Sequence, residues 1–280
     1  MIVDAHTHIW RPVSVGASPV STIVGQEADI PAELLRQYLD EHAVDRAVLV
    51  QPVYPGEDNS FVADAATTEP NRFAAVCVVD PRKPDAARRL SYWCGERGCR
   101  GLRLRPKVPG EAAIFGHPDT YPLWETAQRL GIAVNLLCEF DHLSVAGQMA
   151  ERYVGVPVVI DHLAHPSHPA NLASLRPLLE LARFPRVYVK FSGLYYFSQA
   201  PFPYPDCRDL LRAVYDRFGP ARLLWGSDFP HVLLKASYGG ALALVERLCP
   251  WLPAQERPLI LGQNAAALYW PERAGVPLGD

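Results

Sequence analysis

Apolar runs of strand length recur along the chain, and a stretch with helical periodicity follows each one. The runs are Met1–His6, Ala47–Gln51, Phe73–Val79, Gly101–Leu104, Ala133–Cys138, Pro157–Asp161, Val187–Phe191 and Arg222–Trp225. They are continuous rather than alternating, which marks strands covered on both faces of a parallel sheet. The first helix is predicted to open at Pro31 and run to about His42, with Leu34, Leu35, Tyr38 and Leu39 on one face. Further helices are predicted over Ser60–Glu69, Pro84–Arg97, Tyr121–Leu130, His142–Tyr153, Ala170–Arg183, Asp206–Phe218 and Gly239–Leu248. Another, Gln255–Tyr269, closes the chain. Loops rich in Ser, Gly and Pro intervene, the longest being Arg11–Asp29. Eight strand–helix units predict a closed (β/α)8 barrel, the TIM barrel, in one domain spanning residues 1–280, with an extra C-terminal helix. An open doubly wound sheet is the alternative. No Gly-x-Gly-x-x-Gly follows any strand to support the nucleotide site such a sheet often carries.

Composition narrows the class. The 49% hydrophobic content fills a large core, and a formal charge of −3 argues against a nucleic-acid partner or an acidic membrane surface. No apolar run is long enough to span a bilayer, and the N-terminus has no basic region followed by an apolar stretch. The cysteines, 6 in number, are scattered without a Cys-x-x-Cys, so reduced thiols and a cytoplasmic location are expected.

Chemistry in such a barrel sits where strands end and the following loops begin. Strand one carries Asp4, His6 and His8 at alternate positions. Alternation puts such side chains on one face, where two neutral imidazoles make half of a site for a borderline ion such as zinc. A pair of hydrogen-bonded buried histidines is the plain structural reading. Strand four ends in Arg103 and Arg105, strand five runs into Glu139, and strand six ends in Asp161-His162. Strand seven carries Lys190 and Ser192, and strand eight ends in Ser227-Asp228, with His231 close behind. Ionisable groups inside a barrel are costly unless paired or functional. Each also has a plain reading. Asp161 can bind a loop amide, His162 can be a capped core histidine, and Asp228 can belong to an ordinary turn. Lys190 can snorkel, one of the arginines can pair with a helix acid, and His231 can be a solvated loop histidine. In a closed barrel strand eight returns beside strand one, so Asp228 is expected next to His6 and His8.

Asp4-Ala-His-Thr-His-Ile-Trp10, Val159-Ile-Asp-His-Leu163 with Pro166, Val189-Lys-Phe-Ser-Gly-Leu194, Leu224-Trp-Gly-Ser-Asp-Phe-Pro-His231 and Leu261-Gly-Gln-Asn-Ala-Ala266 together resemble the amidohydrolase superfamily. The resemblance is to its amidohydrolase-related branch, which includes sugar-lactonases and 2-pyrone-4,6-dicarboxylate lactonase. It implies a distorted TIM barrel and hydrolysis of a cyclic ester or related carbonyl compound. His6 and His8 then correspond to the first-strand metal pair. Asp228 corresponds to the last-strand carboxylate that deprotonates water and returns the proton to the leaving group. The sequence departs from binuclear members, which bridge two metals with a modified lysine on strand four or five. Here those strands end in Arg103-Leu-Arg105 and Cys138-Glu139. One divalent ion at most is expected, zinc held by His6, His8 and Asp228, and metal-free catalysis stays open.

The expected mechanism follows. Asp228 acts as base and His162 helps to polarise the lactone carbonyl. Arg105 and Lys190 hold a carboxylate or hydroxyls of a small anionic or polyhydroxylated substrate. Tyr195 and Tyr196 wall the pocket, and Glu139 and His231 are weaker candidates for contact with the substrate. A metal-dependent decarboxylase or hydratase on the same barrel is the first rival, and a non-catalytic carboxylate-binding barrel the second. A homo-oligomer is left open.

Overall fold

The structure, a computed structural model, describes residues 1–12, 28–52, 56–106 and 114–271. Most of the Arg11–Asp29 loop and the Gly110 part of the loop after strand four lie outside the described residues. The strands are β1 (Val3–Thr7), β2 (Arg46–Val50), β3 (Phe73–Val78), β4 (Gly101–Leu104), β5 (Ala133–Leu136), β6 (Val158–Ile160), β7 (Val187–Phe191) and β8 (Leu223–Trp225). They pair in sequence order, each parallel to the next. Beyond the end of β8 the chain returns to β1. Thr7 bridges Phe229, Asp228 N donates to His6 O at 2.9 Å, and His8 N donates to Phe229 O at 2.7 Å. The barrel therefore closes at the C-terminal ends of its strands, as predicted.

The helices are α1 (Ala32–Glu41), α2 (Ser60–Thr68), α3 (Ala86–Ser91), α4 (Tyr121–Leu130), α5 (Leu143–Arg152), α6 (Arg176–Glu180), α7 (Arg208–Phe218), α8 (Tyr238–Leu248) and α9 (Asn264–Tyr269). Three predicted helices are broken into shorter pieces. Pro84–Arg97 is α3 followed by a π turn, Tyr92–Glu96. Ala170–Arg183 breaks into 3-10 turns around α6, which restarts at Pro177, a residue with no N–H to continue a preceding helix. Gln255–Tyr269 becomes a π turn after Pro258, Leu259–Gln263, followed by α9.

Two apolar layers result. The outer one lies between strands and helices and includes Leu35, Leu39, Leu49 and Trp124. The inner one fills the barrel with small side chains: Val3, Ala5, Val48, Val50, Ala74, Val76, Ala133, Val159 and Leu224. Ala265 and Tyr269 of α9 join it from below. Gly262 allows this approach, since a Cβ there would lie 2.5 Å from Met1 O. The lower half of the barrel is thus a sealed apolar floor. The upper half holds His6, Arg103, Asp161 and Lys190, all buried.

Candidate active site

The first strand does not alternate as its sequence suggests. Its register against β2 shifts between Asp4 and Thr7. Val3 and Ala5 pack into the floor, while Asp4 turns away toward α8. There Asp4 accepts hydrogen bonds from Tyr238 Oη at 2.8 Å and Ser227 N at 2.9 Å. Burial pushes its pKa up to about 6 against the pull of these donors. Asp4 is therefore separated from the histidines and fixes the loop that carries Asp228. His6 and His8 do converge, with their Nε2 atoms 3.2 Å apart.

Asp228 stands beside both, as expected from barrel closure. Its Oδ1 lies 3.3 Å from His8 Nε2, 3.6 Å from His6 Nε2 and 4.0 Å from His162 Nε2. This oxygen is buried and has no hydrogen-bond donor. The other oxygen is saturated: Tyr195 Oη donates to Oδ2 at 2.5 Å and Tyr196 Oη at 2.8 Å. The two tyrosines were expected to wall the pocket. Here their hydroxyls orient the carboxylate. Burial alone would raise the Asp228 pKa, but the imidazoles around it outweigh burial and hold it well below the usual carboxylate range. His162 is itself pushed down to about 3 by burial, so at neutral pH its ring is uncharged.

His162 reaches the cluster by an unusual route. His162, Leu163, Ala164 and His165 all have positive φ, between 49° and 59°, so the chain after β6 makes a left-handed turn without a glycine. Its Nδ1 is 2.9 Å from Ser192 Oγ on the loop after β7. Gly193 makes room: a Cβ there would come within 2.6 Å of that same Nδ1.

Below this cluster lies a charged layer. Arg103 Nε donates to Asp161 Oδ2 at 3.2 Å, so the arginine pairs with a barrel acid and not with a helix. Lys190 Nζ is 3.0 Å from Asp161 Oδ1 and 3.0 Å from His6 Nδ1. Burial would raise the Asp161 pKa, but Lys190 and His6 outweigh it and hold the carboxyl well below its ordinary range. Lys190 was expected to hold the substrate. It is 0% exposed and its ammonium lies between Asp161 and His6, away from any surface a substrate could reach.

The remaining candidates scatter. Arg105 lines a cavity of about 320 Å³ beside Arg103, with Val78, Val79, Glu57 and Lys83 among the walls. Its Nε is buried without a partner, and burial, with Arg103 close by, lowers its pKa. His231 is buried, with its ring stacked 5.7 Å from Trp10 and edge-on 5.4 Å from His8. Burial pushes its pKa down to about 4. Glu139 is exposed and caps the short turn Phe140–His142 through His142, outside the cluster. Sequence reading left Asp161 as a loop anchor and gave Ser192 no role. The signal for both was their place at a strand end.

His6, His162 and Asp228 place one ligand atom each within 4.8 Å of one another, which fits a divalent ion, and His8 is within reach of two of them. The donorless Asp228 Oδ1 adds to the fit. Nitrogen and carboxylate donors of this kind suit zinc.

The fold and site together are an eight-stranded parallel barrel with two histidines at the end of its first strand and an aspartate after its last. The chain belongs to the amidohydrolase family, whose model matches residues 3–270. An L-fucono-1,5-lactonase from Burkholderia ambifaria is 31% identical over 99% of this chain and 97% of its own. A 4-sulfomuconolactone hydrolase from Hydrogenophaga intermedia is 28% identical over 81% of this chain and 74% of its own. A solved amidohydrolase from Burkholderia multivorans is 28% identical and covers 96% of this chain and 99% of its own. Its TM-score is 0.85 with HEPES bound and 0.83 with zinc bound.

Proposed function

We propose that the protein is a lactonase that opens a carboxylated lactone by base-assisted attack of water, with Asp228 as the base. The observation that carries this is the asymmetry of the Asp228 carboxylate. Two phenols occupy Oδ2, and Oδ1 is buried, donorless and turned toward three imidazoles. A water held at Oδ1 gives up a proton to it as its oxygen attacks the carbonyl carbon. The bond to the ring oxygen then breaks, and Asp228 returns the proton to that oxygen, leaving a hydroxy acid. His162, oriented by Ser192, faces the developing oxyanion. A divalent ion, one at most and zinc by its donor set, would be held by His6, His8 and Asp228 and would supply Lewis-acid polarisation of the carbonyl. The named activities of the relatives support a lactone as substrate.

The substrate's acid group is assigned to the strand-four side of the mouth. Lys83 pairs with Glu57 at 2.9 Å and Arg82 with Asp80 at 3.1 Å, while Arg103 is held by Asp161. Among the described residues no acid forms an ion pair with Arg105. A half-buried guanidinium with no ion-pair partner among the described residues suits a carboxylate. The free thiols, from Cys77 to Cys249, suit the reducing cytoplasm.

Asp228→Asn tests the base. The amide keeps the shape but cannot take a proton. Turnover of a lactone found by screening for proton release should fall by roughly 10²–10⁴-fold. Near wild-type turnover would make the carboxylate structural and end this mechanism.

A further inference from the structure

The turn after β6 is left-handed at four consecutive residues, His162, Leu163, Ala164 and His165, and none of them is glycine. Each costs free energy, because its Cβ crowds the following carbonyl. Such conformations persist where the surroundings hold them, and they gather at functional sites. Here Leu163 and Ala164 are fully buried and lock the turn into the fold. The turn thereby places two imidazoles, one at each of its ends. The ring centre of His165 is 5.4 Å from that of His162. It is also 5.3 Å from that of Tyr196, edge-on, and the Tyr196 hydroxyl donates to Asp228. His165 is only half-buried, and among the described residues neither nitrogen of its ring makes a hydrogen bond. A polar ring held by a strained turn beside the reacting carboxylate, with both nitrogens unpaired, is arranged for a molecule from outside.

We propose that His165 is a specificity residue that contacts a hydroxyl of the substrate on the β6 side of the mouth. The charges around the ring select this partner. Those acting on it most strongly are Asp228, Asp161 and Glu139, and only then Arg103. A surplus of acids repels an anionic group, whereas a hydroxyl is uncharged and can either donate or accept. The substrate's carboxylate then belongs beside Arg105, after β4, and its hydroxyls beside His165, two strands further on. The inference rests on the lactonase reading for the molecule that carries the hydroxyl. A solvated loop histidine is the plain alternative. It gives the left-handed run beyond His162 no purpose, and under it replacing the ring changes nothing.

Two carboxylated lactones of one skeleton test this by proton release: D-glucaro-1,4-lactone, and (5-oxotetrahydrofuran-2-yl)acetate, which lacks its free hydroxyls. His165→Leu removes both ring nitrogens. Its kcat/KM on the hydroxylated lactone should fall roughly 3–10-fold, the worth of one hydrogen bond. The fall should lie mainly in KM, since the contact exists in ground and transition states alike. On the lactone without free hydroxyls it should change little. His165→Asn keeps a donor and an acceptor and tolerates left-handed backbone, so it should retain more of the preference. Equal losses on both lactones, or none on either, overturn the proposal. Because His165→Leu can unsettle the turn, a second measurement uses the unaltered protein. In histidine-labelled wild type, the ring resonance of His165, assigned by its loss in His165→Asn, should move on saturation with D-glucarate and not with adipate, the same diacid without hydroxyls. No shift with D-glucarate, or an equal shift with adipate, overturns the proposal. A wild type that opens neither lactone counts against the lactonase reading, and the D-glucarate shift then decides the role of His165 by itself.

Discussion

In the proposed mechanism Asp228 takes its task from what occupies its other oxygen. With Tyr195 and Tyr196 donating to Oδ2, Oδ1 is the oxygen left to take a proton. That residue was readable from sequence because barrel closure must bring the end of the last strand to the first. Arg103 was not, because its partner Asp161 lies two strands away and no local pattern links them. Lys190 was misplaced for a related reason. A lysine at a strand end can point to solvent or to a buried acid, and only the position of Asp161 decides. Arg105 gives the sharpest prediction at this scale. Its contact with a substrate carboxylate would exist in both the ground and transition states. Arg105→Met should therefore raise the Michaelis constant for carboxylated lactones, with a smaller fall in turnover. For an uncharged sugar lactone the same change should alter little. Kinetics on one lactone of each kind separate these outcomes, and equal losses on both would remove Arg105 from substrate recognition.

Elements place these residues by departing from regular geometry. The register shift in β1 sends Asp4 outward and keeps the histidines together. Period-2 reading could not foresee it, since nothing in Asp4-Ala-His-Thr-His8 marks a shift. The left-handed turn at His162–His165 was equally hidden, because left-handed backbone is usually signalled by glycine and none is present. Its glycine is instead across the cleft, on the next strand's loop. Gly193 has a φ of 63° and lies against the His162 ring. Gly193→Ala should cost about 1–2 kcal/mol from left-handed strain alone. Its methyl group would also displace the His162 ring from Ser192. Loss of activity beyond what the folded fraction explains is the expected result, read by comparing turnover with the circular dichroism of the same sample. A variant with normal turnover would show that the position of His162 does not matter to the reaction. The strands themselves were all legible, because continuous apolar runs have few alternatives at that length. Helix ends were less so where Pro177 and Pro258 interrupt the ladder.

The whole molecule separates stability from chemistry along the barrel axis. Its upper half is polar and holds the ion network, while its lower half is apolar and plugged by α9. A C-terminal helix was foreseen, but its insertion into the floor was not, since Tyr269 reads as an ordinary aromatic on an amphipathic face. Tyr269 gives the plug a polar contact inside the floor. Tyr269 Oη donates to Asn135 Oδ1 at 2.6 Å, both fully buried. Tyr269→Phe leaves that amide oxygen without its donor in an apolar floor. A lost partner of this kind costs about 1–3 kcal/mol. For a chain of this size each kcal/mol lowers the melting midpoint by roughly 2–4 °C, so a fall of roughly 2–12 °C is expected. Turnover measured well below the midpoint should stay within about twofold of wild type, because no reacting group touches Tyr269 and the change removes only a floor contact. The contrast with Asp228→Asn is the point of the measurement, since that variant should lose turnover and keep its midpoint far better. If Tyr269→Phe instead lost turnover in step with its midpoint at temperatures where it is folded, the floor would be coupled to the reacting groups. The Asn135 amide would then have to be treated as part of the charged layer above it.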